Sequence, residues 1–461
     1  MTASKGSYVA LQYGQQRPFE PGKPLEILDG QTVEKVDFAL PRGAVITGRI
    51  LDEFGDPLAD AQVSAQRYEV VGGRRRLVPA GRPANTNDIG EYRLFALPPG
   101  QYYLSATLRS MNMVGDSDDR SGYAPTYFPG TANIAESQRL TVGLGQTLTD
   151  INMALMPTRT ARVTGTAVDS QGRPMMGMVM AIPRSDSVLM MPGPPGQIRP
   201  DGSFTISGLA PGTYTLQSQS GPGDNESAVA EVTVSGDDVN GVRLVGSKPS
   251  TASGRIVVEP AAAQSLQPSM LRVMAQPTQS DTMMLGPMSG PSPVNDDVTF
   301  EVRTRPGKMR IALVGSPPGW TIRTVRYRGI DVTDSGIDFK ANEDVGDLEV
   351  ELTNRVTDLS GLVTNSRGEP VKDYSVIVFP EDRDQWTPGS RYMRSSRPDQ
   401  DGRFKLPSLP PGRYYILALD YVDSGEWTDP EFLDRVRSKA TTVSISEGET
   451  KSVDLKVTTA S

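Results

Sequence analysis

The chain has 461 residues, with 47 Lys and Arg against 55 Asp and Glu for a formal net charge of −8, and it contains neither Cys nor His. That excludes disulfides, thiolate nucleophiles, Cys/His zinc sites and any catalytic set built on an imidazole. The only basic cluster is Arg74, Arg75 and Arg76, which reads as a solvated hairpin tip, so nucleic acid is not an expected partner.

The length exceeds what one hydrophobic core serves, and 46 Gly with 38 Pro predict many turns between short strands. No apolar run is long enough for a membrane-spanning helix, and the first residues lack the apolar stretch of a signal peptide.

Residues 1–41 read as the last two strands of a sandwich whose earlier strands are missing. Thr2 to Tyr13 match the end of the next unit from Ser105 to Tyr127, and Gly30 to Leu40 match Gly145 to Leu155. Two strands are not stable alone. The expectation is therefore either the tail of a longer exported protein, the simpler reading, or a segment that pairs with another chain's sheet edge.

Residues 42–156 form the first complete unit. Ile46, Gly48 and Ile50 share one strand face, and Asp52, Gly55 and Pro57 supply a turn. A second signature follows, with Asp88, Gly90, Tyr92 and Leu94, then a Pro-Gly at Gly100 with Tyr102 and Leu104 behind it. Both recur in residues 157–247, around Gly165, Asp169, Gly172 and Pro174, then Gly202, Phe204, Gly212 and Tyr214. Residues 248–354 carry a degenerate copy, with Gly254, Phe300 and Gly307 but no Gly-x-Pro turn, and Val298 in place of the second turn glycine. Residues 355–461 repeat the full set around Gly361, Asn365, Gly368, Pro370, Gly402, Phe404, Gly412 and Tyr414. From the first glycine to the Pro-Gly glycine the steps are 52, 47, 53 and 51 residues, a constancy that marks one structural unit written four times. Each unit closes with a strand led by Gly145, Gly236 and Gly448, or by Val345 in the third. The fold class read from this is all-β, a tandem array of Ig-like or prealbumin-like Greek-key sandwiches. Short linkers predict a semi-rigid rod.

The two signatures together resemble the carboxypeptidase regulatory-like domain, a prealbumin-like sandwich often grouped under a carbohydrate-binding-like fold. The resemblance is specific in units one, two and four and weak in three. It implies a non-catalytic module of bacterial exported proteins, placed outside the cell, on its surface or in the periplasm. The metallocarboxypeptidase catalytic domain uses histidine zinc ligands, and this chain has no histidine.

Candidate sites cluster in unit four. Counting strands at 374–379, 403–406 and 414–419 puts loops 381–400 and 420–440 at the same pole. Each loop carries one tryptophan, Trp386 and Trp427, beside Asp382, Asp384, Glu426 and Asp429. Exposed indoles with carboxylates would stack on a sugar or anchor a protein. The competing expectation is that both rings fold down as lids on the core. Unit one repeats the layout with loops 68–86 and 109–139. Acidic turns at Asp399 and Asp401, and at Asp116, Asp118 and Asp119, are weak calcium candidates without EF-hand spacing. Met176, Met178 and Met180 alternate near Met190 and Met191. They are a weak copper candidate, because alignment puts Met180 on the core face. Tyr102, Tyr214 and Tyr414 read as half-buried with their hydroxyls tied to backbone. A glycosidase pair of carboxylates has no recognisable motif here.

The expected function is a non-catalytic extracellular binding or scaffold protein without cofactor or metal. Its expected partner is a polysaccharide or another surface protein. The alternative is a self-assembling fibre or surface-layer subunit in which residues 1–41 complete a neighbouring copy's sheet by strand addition.

Overall fold

The computed structural model describes every residue except 35, 109–119, 185–192, 221–225, 279–289, 316, 318 and 461. The Met190–Met191 pair and the acidic turn at Asp116, Asp118 and Asp119 therefore lie outside the described residues, as does part of loop 109–139. The architecture is all-β, a tandem array of two-layer sandwiches. Among the described residues the one α-helix is Pro430–Val436, and no helix is long and apolar enough to cross a membrane.

Among the described residues, four separate main hydrophobic cores lie along the chain, one to a unit. They run from Ala44 to Leu155, from Ala161 to Leu244, from Ala252 to Leu352 and from Leu359 to Leu455. In each unit the signature strand holds a fixed place. Ala161–Val168, for example, pairs antiparallel with Ser203–Leu209 on one side and parallel with Val239–Val245 on the other. Val163 and Ala167, two residues before and after the glycine, are fully buried, as the alternation predicted.

The glycine itself has a steric cause. A Cβ on Gly48, Gly165, Gly254 or Gly361 would sit 2.0, 2.0, 2.3 and 2.0 Å from the carbonyl oxygens of Ile151, Val242, Leu348 and Val453. These are residues of the closing strand, or of the turn feeding it, whose ladder slips by one position at this point in units two and three. The aromatic of the second signature stands directly opposite: Tyr92, Phe204, Phe300 and Phe404 pair with the four glycines across the antiparallel ladder. The two sequence signatures thus meet in space, the ring filling the place a side chain at the glycine would take.

Five of the turns obey one rule. Asp52, Asn87, Asp169, Asn365 and Asp399 each accept backbone N–H groups from the residues two and four further on through a single side-chain oxygen. The glycine at the third position follows with positive φ in every case. In unit three Val298 takes that backbone conformation at φ +63°, a strained setting for a β-branched side chain. The tyrosine after the Pro-Gly of units one, two and four is fully buried or nearly so. Tyr102 donates to the Pro98 carbonyl at 2.6 Å, Tyr214 to Ala210 at 2.7 Å and Tyr414 to Pro410 at 2.5 Å.

The units do not make a rod. Arg120 pairs with Asp238 at 2.7 Å between units one and two. Units three and four are joined by Arg391 with Asp334 at 2.9 Å and Arg323 with Glu447 at 3.3 Å. Unit one then touches unit four: the backbone of Gly425 packs so closely on Val70 that a Cβ there would lie 1.9 Å from the Val70 carbonyl. Residues 15–26 run across the same junction. Glu20, Lys23 and Glu26 reach Arg397, Asp373 and Lys405 of unit four, the last contact at 2.6 Å. Contacts between units one and two, three and four, and four and one, with units two and three consecutive in the chain, close the four units into a cycle.

Candidate functional site

The long loops of unit four were the expected site, and their placement follows from one short strand that the sequence reading missed. Ser375–Pro380 and Gly412–Leu419 pair antiparallel, with Ser375 opposite Leu419 and Pro380 opposite Tyr414. Arg394–Ser396 adds a further return strand beside Val376–Val378. With that extra strand the parity changes. The loop after Pro380 and the loop after Leu419 leave from opposite ends of the sheet, not from one pole.

They meet instead across its outer face. Val376 and Val378 point into the unit-four core, while Ile377 and Phe379 point outward with Leu417 and Leu419. The loops fold back over that outward row and bring Trp386, Met393, Val422, Phe432, Leu433 and Val436 onto it as a second small core. Trp386 is 5% exposed, packs edge-on against Phe379 at 5.3 Å and donates its indole N–H to the Pro380 carbonyl at 2.8 Å. Its face is spent on packing. Trp427 is half-buried against the same cluster.

The four acids have local duties. Asp382 caps the turn Arg383–Gln385 by accepting the Asp384 amide at 3.1 Å, and Asp384 is exposed beside it. Asp429 caps the helix Pro430–Val436 through the Glu431 amide at 3.0 Å. Glu426 lies 3.5 Å from Arg435, and burial raises its carboxyl above the ordinary range. These side chains do not converge on one point.

What approaches the loops from outside is the rest of the chain. The hairpin tip of unit one brings Gly73 within 3.2 Å of the Thr428 carbonyl and 3.3 Å of Pro388, measured from where its Cβ would stand. From unit three, Arg310 donates to the carbonyls of Gly389 at 2.9 Å and Pro388 at 3.2 Å. The N-terminal segment adds Arg17, which donates to the Asp420 carbonyl at 3.0 Å and lies over the Tyr421 ring at 4.9 Å. Its firmest contact is buried. Arg397 and Glu20 form an ion pair with side chains 3% and 2% exposed, and Arg397 also reaches Asp373 at 2.5 Å. The loops thus form an internal docking surface.

The weaker candidates are also placed. Asp399 spends one carboxylate oxygen on the amides of Asp401 and Arg403. Among the described residues no three acidic side chains converge as a metal would require. Met176 and Met178 face solvent and Met180 is only half-buried, because Met175, Val179 and Ala181 take the core positions. The ladder there is one residue out of step with the alignment that put Met180 inside. In the first segment, Thr2–Ala3 pairs with Leu11–Gln12, and residues 31–41 have no strand among those described.

No protein-family model matches the chain, and no curated protein does. Solved structures with some likeness include the Bacillus anthracis TIE protein, at 10% identity and a TM-score of 0.18 over 89% of this chain and 73% of that one. A streptococcal ancillary pilin matches at 13% identity and 0.24, covering 67% of this chain and 99% of the pilin. The major pilin subunit BcpA of Bacillus cereus matches at 10% and 0.18, covering 65% and 99%. Scores this low carry no inference about this chain, and the sandwich fold rests on its own strands and cores.

Proposed function

We propose that the chain is a non-catalytic structural protein of the cell exterior, in which four sandwiches are locked into one closed body that acts through its surfaces. One observation carries this reading: the loops on which a sandwich ordinarily mounts a binding site are spent on holding units one, three and four together. Its extracellular placement rests on the resemblance of the repeats to regulatory-like modules. Small-angle X-ray scattering tests the closed arrangement. A single compact body of this length has a radius of gyration near roughly 23 Å, a ring of sandwiches somewhat more, and four sandwiches end to end about 40 Å. A value near 40 Å would overturn the proposal.

A second reading draws on the contacts of residues 15–26. They lie more than 300 residues from their partners in unit four and are mostly charged. The same contacts made on a neighbouring copy would link subunits head to tail, through ion pairs and not through an added strand. A molar mass that rises with concentration in light scattering would favour this reading; a constant monomer mass would exclude it.

A further inference from the structure

The junction of unit one, unit four and the N-terminal segment encloses a cleft of about 310 Å³, the small end of the range of ligand sites. Its lining is cationic and aromatic on a chain whose net charge is negative. Arg67 lies at the back, its guanidinium 3.4 Å from the centre of the Phe19 ring and answered by Glu69 beside it. Burial brings its pKa down to about 10. Tyr68 and Tyr103 stand edge to face at 5.4 Å and form one wall. Arg75 rests on the Tyr68 ring at 4.4 Å, and Arg139 donates to the Gln101 side chain at 3.0 Å. Neither has a carboxylate partner among the described residues. Tyr421 closes the far side, its hydroxyl donated to Asp423 at 2.6 Å.

We infer that this cleft binds a small oxyanion carried on a flat ring, an aryl phosphate, sulfate or carboxylate. The reasoning is chemical. Two exposed guanidiniums at the mouth offer forked N–H donors whose geometry suits a phosphate or carboxylate. The tyrosine wall offers a flat apolar face for the ring that bears it. Both features contribute, because a bare anion gains nothing from the wall and a neutral ring forms no charge-assisted hydrogen bond with Arg75 and Arg139. The inference rests on the closed arrangement proposed above, since Phe19 and Tyr421 come from outside unit one.

The test is calorimetric titration of the full chain with phenyl phosphate, with inorganic phosphate and benzyl alcohol as the two half-ligands. Phenyl phosphate is expected to bind roughly tenfold or more tightly than either. The double variant R75Q/R139Q should weaken it by roughly tenfold or more, while the melting temperature and the radius of gyration stay unchanged. Both arginines are exposed and hold only a ring face and an amide, so the variant keeps the fold. Equal affinity for phosphate and phenyl phosphate, or an affinity indifferent to the double variant, would overturn the inference. A closed radius of gyration without binding defeats the cleft alone; an open one defeats the arrangement beneath it.

Discussion

The steric account of the repeat glycine yields a sharp prediction in unit two, at Gly165→Ala. The new methyl would stand 2.0 Å from the Val242 carbonyl oxygen and 2.8 Å from the Phe204 ring, so something has to move by more than about 1 Å to reach ordinary contact. Phe204 is fully buried and has no room to retreat. The closing strand must therefore lift away, giving up the parallel pairs of Gly165, Thr166, Ala167 and Val168 with Val242 through Val245. Two to three ladder hydrogen bonds at about 1 kcal/mol each, plus imperfect repacking, put the cost at about 2–4 kcal/mol. Native-state hydrogen exchange reads this locally. Amides of Ala161–Val168 and Val239–Val245 should exchange roughly 30-fold faster or more, with units one and four unaffected. Gly172→Ala is the control, since its φ is +80° but no atom lies within 4 Å of the added Cβ; it should cost about 1 kcal/mol through the backbone alone. Protection in the two strands that changes less than fivefold in G165A would refute the reasoning.

Three further outcomes are expected. Burial pushes the Tyr214 hydroxyl up to about 12 from a usual 10, so its contribution is whole below pH 10 and is lost as pH rises through about 12; this is worth about 3 kcal/mol, and the difference in 295 nm absorbance between the unaltered chain and Tyr214→Phe should show this one tyrosinate forming only as circular dichroism is lost. Glu20→Ala leaves the buried Arg397 with Asp373 alone, and residues 15–26 should come off unit four, seen as faster exchange in 15–26 and 397–405 and greater sensitivity to a protease. Trp386→Ala removes the centre of the second small core and should cost about 3–5 kcal/mol in unit four, with the helix Pro430–Val436 released first; a loss below about 1 kcal/mol by chemical denaturation would contradict its packing role.

Much of the fold was legible because each sandwich writes its constraints at fixed spacing. The glycine needed for close approach, the aromatic opposite it, the Asx turn and the tyrosine hook are local or periodic features, and each leaves a residue-type mark. What eluded the sequence was non-local. Arg394–Ser396 is three residues with no apolar alternation, yet it reverses the parity on which the placement of the Trp386 and Trp427 loops depended. The two-sided burial of Ser375–Pro380 was legible in principle, since Val376, Ile377, Val378 and Phe379 form a continuous apolar run rather than an alternating one. The cleft at Arg67 and Tyr421 had no sequence signal at all. Its walls are more than 300 residues apart, and only the closure of the cycle brings them together.

The parallel pairing beside the repeat glycine also governs how the chain is made. In unit two, Gly165 waits for Val242, so its strand leaves the ribosome with an open edge for the whole synthesis of the unit. The neighbouring units present nearly the same edge and the same closing strand, which makes misjoined units the characteristic hazard of this chain. Loop closure over such distances is slow. A closing strand that docks before the next opening strand is synthesised escapes that hazard.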